Sequence, residues 1–335
     1  MSLKTYLLAR VLLAIPMVLI LLTVVFVVLR IIPGDPVLTL LGGKAPIEVI
    51  EAKRHELGLD KPILIQYIDY LGNLLKGDLG KSLLTERPVL EELGDRLPAT
   101  IELTIFGFII ALVIGIFWGA EAARRHDSVF DVSARVYSIF IYSVPVFWLG
   151  MVLQLIFGVW LRVLPVAGRI PPLMEPKHIT GLYILDALFT ANWESLKEAF
   201  RHLLLPGVTL GLIISSVFLR MVRGNMILTL SQDYTRAARA RGIKEKSVVY
   251  RHALKNAMVP IMTVMGLQLA LLFAGAVLTE TTFSWPGIGT YLVQKIRYRD
   301  FMAVQGAIVI YAVMVVTISI IVDIINAWID PRIRY

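Results

Sequence analysis

Residues 11–29 read Val11-Leu-Leu-Ala-Ile-Pro16-Met-Val-Leu-Ile-Leu-Leu-Thr23-Val-Val-Phe26-Val-Val-Leu29, without one charged side chain. A helix rises about 1.5 Å per residue, so a run of this length reaches across the roughly 30 Å of a bilayer's hydrocarbon core. Lys4 and Arg10 precede it, as in a cleaved leader. The run is too long for a leader's apolar region, and no small-x-small cleavage site follows at the right place, so it reads as a retained anchor helix.

Five further stretches have the same character. Residues 101–120 carry only Glu102 near one end, residues 136–161 are interrupted by Pro145, and 203–219, 257–278 and 303–322 contain no Asp, Glu, Lys or Arg. Composition agrees: 57% of the 335 residues are hydrophobic and 17% charged, at a mean hydropathy of +0.74, where soluble domains run near about 45–50% and 25%. The expectation is an all-α polytopic membrane protein with six transmembrane helices.

Charge between the spans sets the orientation, because Lys and Arg concentrate on the cytoplasmic side. Residues 220–255 hold nine basic side chains (Arg220, Arg223, Arg236, Arg239, Arg241, Lys244, Lys246, Arg251, Lys255) against Asp233 and Glu245. With that loop inside, Lys4 and Arg10, Arg124 and Arg125, and Arg332 and Arg334 fall on the same face, so both termini are expected to be cytoplasmic. Residues 30–96 fall outside with nine basic and eleven acidic residues. Helical spacing of apolar residues over 46–57 and 64–75 makes this segment a small helical cap. The expected organisation is an anchor helix (1–30), an extracytoplasmic helical segment (31–96), a five-helix core (97–323) with a cytoplasmic loop (228–256), and a cytoplasmic tail (324–335). The net charge of +8 thus orients the chain; a nucleic-acid partner is not expected.

Several chemistries are excluded. Cysteine is absent, which removes disulfides, thiolate metal sites and thiol nucleophiles. Gly80-Lys81-Ser82 has the ending of a phosphate-binding loop, but the leading glycine it needs is Leu75. No ionisable residue stands at mid-membrane, which speaks against a proton-coupled carrier. His55, His126, His178, His202 and His252 lack metal-ligand spacing. No catalytic residue and no metal site is expected. With five Asn and six Gln, the chain is also poor in thermolabile residues, which suits a thermophilic source.

What remains is a passive channel or scaffold, or a translocation subunit driven by a partner. After the fourth span, Ser231-Gln-Asp-Tyr-Thr-Arg-Ala-Ala-Arg-Ala-Arg-Gly242 begins at a residue suited to cap a helix and ends at one suited to stop it. A second helix over about 245–256 leads into the fifth span. Tyr234, Ala237, Ala238 and Arg241 fall at three- and four-residue spacing, giving a face of small side chains that another backbone could approach. The same residues also fit plain helix propensity and the positive-inside bias.

Ala237-Ala238, three residues and Gly242 resemble the EAA motif of permease subunits in ATP-binding cassette importers, with Arg236 where that family often has Glu and with Pro260 coming late. Segments along nearly the whole chain resemble the dipeptide, oligopeptide and nickel branch, in the subunit type with a long first outer loop. They are Ile32-Pro33-Gly34-Asp35-Pro36, Leu57-Gly58-Leu59-Asp60-Lys61-Pro62, Gly77-Asp78-Leu79-Gly80, Leu97-Pro98-Ala99-Thr100, Ser143 to Trp148, Thr279 to Gly287, and Asp330-Pro331-Arg332. The resemblance implies a type I importer fold and half of a translocation path for di- or oligopeptides, oligosaccharides or nickel complexes. It also implies a second homologous permease, two cytoplasmic ATPase subunits that carry the ATP and Mg, and an extracytoplasmic solute-binding protein. Tyr234, Arg236, Ala237, Ala238, Arg241, Gly242 and Ile243 would then couple the chain to an ATPase.

Glu280, Phe283, Ser284 and Trp285, at the outer end of the fifth span, fit either interfacial anchoring and loop packing or an outer gate or binding-protein contact. Pro145 removes a backbone hydrogen bond, with Ser143 close enough to satisfy the freed carbonyl, so a kink that either gates or packs is expected. Gln154 and Gln268, the deepest polar residues, either bridge helices or line the path.

Overall fold

A computed structural model describes residues 3–31, 37–38 and 45–329, and among these no strand forms beyond one isolated bridge between Lys81 and Pro88. Helix α1 (Leu3–Ile31) leads to the cap helices α2 (Ile47–Glu56) and α3 (Ile63–Leu75), which form where the periodicity predicts them. Each starts directly after a proline, Pro46 or Pro62, whose fixed φ favours a helix start. Then come α4 (Val89–Arg124), α5 (Val129–Ser143), α6 (Val146–Leu153), which continues as a π-helical turn through Trp160, α7 (Tyr183–Phe189) and α8 (Trp193–Leu230). The chain ends with α9 (Asp233–Ala240), α10 (Glu245–Ser247), a π-helical stretch Val248–Ala253, α11 (Leu254–Thr282), α12 (Ile288–Arg297) and α13 (Phe301–Ile329). The Ile32 to Pro36 stretch, Asp330-Pro331-Arg332, Arg334 and the side chains of Lys4 and Arg10 lie outside the described residues.

Four helices are long and apolar enough to cross a membrane, and up to six spans result if each of two bent pairs counts as one. Large apolar side chains stand in the open on them, such as Met17 at 69% and Ile20 at 65% exposure. A watery surface does not carry this pattern.

Helices α4 and α8 form the spine. A Cβ on Gly115 would lie 2.4 Å from Phe218 Cβ, and one on Gly211 2.6 Å from Ile110 Cβ. These glycines let the two backbones touch, as small residues do between helices in lipid. Buried clusters run along this spine. Ala120, Val222, Met226, Val249 and Ile261 pack at the end that carries α9, here the basic end. At the opposite, capped end lie Ala99, Leu103, Leu203, Ala276 and Trp285, and Val89, Leu93, Ile288 and Tyr291.

Three expectations require correction. The stretch 136–161 is not one kinked helix: α5 and the helix after Pro145 meet at 104°, with Pro145 in an extended conformation at ψ 135°. The Ser143 hydroxyl donates to Ile139 O at 2.8 Å, while Ile141 O accepts from Val144 N–H at 3.3 Å, so the corner is closed by backbone and not by Ser143. The stretch 257–278 begins inside a second bend of 63° around Pro260. Ser231 does not start a helix. It ends α8, and Gln232 precedes α9.

Candidate functional site

At the basic end the chain turns two corners. The buried Thr235 hydroxyl lies 2.6 Å from Gln232 O and 2.9 Å from Leu230 O, fastening α9 to the last carbonyls of α8. Helix α9 ends with Gly242 N–H on Arg239 O at 2.9 Å and Ile243 N–H on Ala238 O at 3.3 Å. These are the paired bonds of a Schellman end, and they require the left-handed φ of +75° found at Gly242. Arg239 then binds the Glu245 carboxylate through Nε and Nη2 at 3.1 and 2.9 Å, and Leu230 O through Nη1 at 3.3 Å. One guanidinium thereby holds α8, α9 and α10 together.

Behind the corner, Val249, Ala253, Ala257 and Ile261 pack on Ala120 and Ala123 of α4 and on Val222 and Met226 of α8. Tyr250 adds a hydrogen bond to Glu121 Oε2 at 3.0 Å, a carboxylate also gripped by Arg124 and Arg125. Asp131 of α5 binds Arg223 of α8 through both oxygens, at 2.5 and 2.7 Å. The corner is therefore one body with the spine. Its outward side consists of Tyr234, Arg236, Ala237, Arg241 and Gly242, all exposed, and of half-buried Ile243. Ala238 is the exception at 7% exposure, turned toward the spine. Arg236 pairs with the exposed Asp233 at 3.6 Å.

The motif residues of the capped end are arranged in the opposite way. Phe283 and Trp285 are 1% and 0% exposed. The Trp285 indole donates to Ala99 O at 2.8 Å, and Phe283 O accepts from Gly168 N–H at 2.9 Å. Glu280 is fully buried, accepting from Thr100 Oγ1 at 2.6 Å and from Thr290 N–H at 3.0 Å. A Cβ on Gly287 would meet Glu280 Oε1 at 2.2 Å, so the glycine after Pro286 makes room for the carboxylate. Ser284 alone of the four faces outward, at a φ of +50°. Gln154 donates to Val166 O at 2.7 Å and Thr282 O at 3.1 Å, bridging the helix after Pro145 to the end of α11. Gln268 is half-buried on α11, beside the exposed Leu267 and Leu271.

Two residue patterns divide the chain between two family descriptions. Residues 111–335 match the binding-protein-dependent transport system inner membrane component family, and residues 3–104 match the N-terminal region of such membrane components. The chain belongs to the binding-protein-dependent transport inner membrane components. It is 42% identical over 330 residues to the dipeptide transport system permease protein DppB of Alkalihalophilus pseudofirmus, covering 98% of this chain and 99% of that one. It is 43% identical over 311 residues to the di/tripeptide transport system permease protein DppB of Pseudomonas aeruginosa, covering 92% and 93%. The dipeptide permease of Escherichia coli K12 is 39% identical over 318 residues, covering 92% and 93%. Membership makes this chain a multi-pass transport subunit of an inner membrane and not an enzyme, working with ATPase and binding-protein partners.

In this transport component the buried ionic contacts were not legible as such. Arg169 binds Glu102 through Nε and Nη2 at 2.9 and 2.6 Å, 67 positions away, and lies over the Tyr183 ring at 3.7 Å. Lys295 lies between Glu92 at 3.0 Å and Asp300 at 3.4 Å, with Ser82 Oγ at 2.5 Å, which gives the Gly80-Lys81-Ser82 loop a structural place. Burial, with Glu92 alongside, pushes the Tyr291 phenol well above its ordinary range. No local spacing marks such partners, although a basic residue set among apolar ones in the outer segments is the signal available. The ligand atoms of His126, Asp127 and Asp131 come within 4.8 Å of one another, but both Asp131 oxygens are taken by Arg223.

Proposed function

We propose that this chain forms half of the translocation path of an ATP-driven importer for di- and oligopeptides, paired with a second homologous permease and driven by two ATPase subunits. The observation that carries the coupling role is the corner at the basic end. Its outward face is exposed, and the body behind it is fixed to α4, α8 and α11 by the buried cluster around Val222 and Val249. A push on the face is thus delivered to three spanning helices and not absorbed locally. In this reading Ala237-Ala238 to Gly242 is an EAA-type motif. Tyr234, Arg236, Ala237, Arg241, Gly242 and Ile243 touch the ATPase, and Ala238 serves by letting α9 lie close to the spine. The density of Lys and Arg here supports a cytoplasmic placement for this end and for both termini, with residues 31–96 outside. Peptide as cargo is supported by the relatives, which are dipeptide and di/tripeptide transport permeases. At the outer mouth, Ser284 is the contact the fold leaves open, and the exposed α11 face at Leu267 and Leu271, with Gln268 beside it, fits the path or the second permease.

The test is ATPase stimulation by peptide-loaded binding protein in the reconstituted transporter. Replacing Ala237 by Trp or Gly242 by Val is expected to lower stimulation at least about tenfold without loss of chain from the membrane. Undiminished stimulation sinks the coupling role, and uptake of labelled dipeptide that is independent of this chain sinks the cargo.

A further inference from the structure

Three residues that line one cavity at the capped end each carry a buried donor without a partner among the described residues. The cavity, about 510 Å³, lies between the end of α1, the cap helices, the 78–86 loop and the start of α13. Among the described residues, Arg30 Nη1, Tyr70 Oη and Gln305 Nε2 are buried without a hydrogen-bond partner, and all three residues line the cavity. Gln305 is only 2% exposed. Arg30 is fixed in place: Nε donates to Gln66 Oε1 at 3.0 Å, and the guanidinium stands 4.7 Å from the Phe26 ring and 5.3 Å from the Phe301 ring. Buried donors are nearly always satisfied, so three orphans around one space point to something that accepts from all of them.

The carboxylates around the cavity do not fill that role. Glu56 is bound by Lys53 at 2.9 Å, Asp69 by Lys61 at 2.8 Å, Asp78 accepts from Gly80 N–H at 2.8 Å, and Glu86 is exposed. A fixed guanidinium together with an amide N–H and a phenol O–H is a donor set for an oxyanion, which takes charge-assisted hydrogen bonds from each. We infer that this cavity binds a phosphate- or carboxylate-type group, with Arg30 as the charged contact and Tyr70 and Gln305 as the further donors. This site is separate from the coupling corner and does not depend on the cargo.

Two sources carry this chemistry, a soluble anion and an anionic lipid headgroup. Helix α3 lies against the last turns of α1, with Tyr67 Oη 2.5 Å from Thr23 Oγ1, and it exposes Leu64, Ile68 and Leu75 at 73%, 67% and 90%. The cavity therefore adjoins a surface that suits acyl chains.

Thermal unfolding of the full-length chain in neutral detergent separates the two. It is titrated with inorganic phosphate, with acetate, and with phosphatidylglycerol against phosphatidylcholine. At least one of the anionic probes is expected to raise the midpoint of the unaltered chain, with Arg30→Gln needing about tenfold more of it. Tyr70→Phe removes a hydroxyl that has no internal bond to lose, so it leaves the anion-free midpoint unchanged or higher while weakening the anion about fivefold. A response to phosphatidylglycerol alone assigns the headgroup, and a response to phosphate or acetate assigns a soluble anion; both uphold the site. Equal responses of the unaltered chain and Tyr70→Phe to every probe overturn it, whether or not Arg30→Gln folds.

Discussion

The two ends of the helical spine treat their charged and aromatic residues in opposite ways. At the capped end, Glu280, Trp285, Arg169, Glu102 and Lys295 are all under 9% exposed and bind one another's elements across long stretches of sequence. At the outward face of the basic end, Arg236, Ala237, Arg241 and Gly242 stand in the open and Arg239 pairs with its chain neighbour Glu245, while the buried long-range pair of this end, Asp131 with Arg223, sits behind that face. A motif can therefore mark a lock inside the molecule as readily as a face offered to another one. Burial separates the two, because a buried charge persists only where its partners are built in.

The largest expected test of this contrast is Arg169→Ala. It strands the Glu102 carboxylate, and loss of one partner of a buried pair costs about 3–5 kcal/mol, read as a large fall in the unfolding midpoint in detergent. A loss below about 1 kcal/mol would show that the capped end is not locked by this pair. Next come two alanine substitutions of glycines, one at each end. Gly287→Ala drives a Cβ into Glu280 and is expected to cost about 2–3 kcal/mol by overpacking. At Gly242 nothing lies within 4 Å of the added Cβ, so only the left-handed backbone resists, at about 1–2 kcal/mol, and Gly242→Asn should recover part of that loss. Equal losses at the two sites, unrelieved by Asn, would remove the distinction.

Acid probes the loop between the ends of α6 and α8. Burial pushes the Asp186 carboxyl up, but the Thr180 hydroxyl and the N–H groups of Thr180, Ile179 and Gly181 together hold it below the ordinary carboxylate range. A depressed carboxylate stabilises fully above its unfolded value of about 3.9 and loses that contribution as pH falls through the lower folded value. Hydrogen exchange over residues 179–190 is therefore expected to be unaffected by this carboxyl between pH 7 and about 5 and to quicken below about pH 4, and quickening already near pH 6 would contradict it. The smallest effect is expected for Arg239→Ala. Its pair is 40% and 46% exposed, so the cost to stability stays under about 1 kcal/mol even where ATPase coupling falls.

Local physics explains which parts were legible in advance. The cap helices α2 and α3, the glycine stop at 242 and the apolar stretches depend on neighbours within a turn or two. The corner at Pro145 was foreseen only as a kink, because a proline shows that a hydrogen bond is missing but not how far the chain then swings; packing against α8 and α11 sets the 104° angle. Ser231 ends α8 instead of starting α9 because α8 runs well past its apolar stretch 203–219 to Leu230, where the Thr229 and Leu230 carbonyls accept from Thr235. The glycine contacts between α4 and α8 were present as Gly115, Gly119, Gly207 and Gly211, yet spacing alone does not name the facing helix.

The sequence by itself determined an all-helical membrane chain, its number of apolar stretches, the end at which its positive charge gathers, and the helix–turn–helix there. Each follows from solvation and from hydrogen bonds that close within a few residues. Only the tertiary structure decided that Glu280 and Trp285 turn inward, that Ala238 faces the spine while Ala237 faces out, and that Arg30, Tyr70 and Gln305 share one cavity. Those outcomes depend on which distant groups arrive together, and the energy of a buried polar group is set by such neighbours rather than by the residue that carries it.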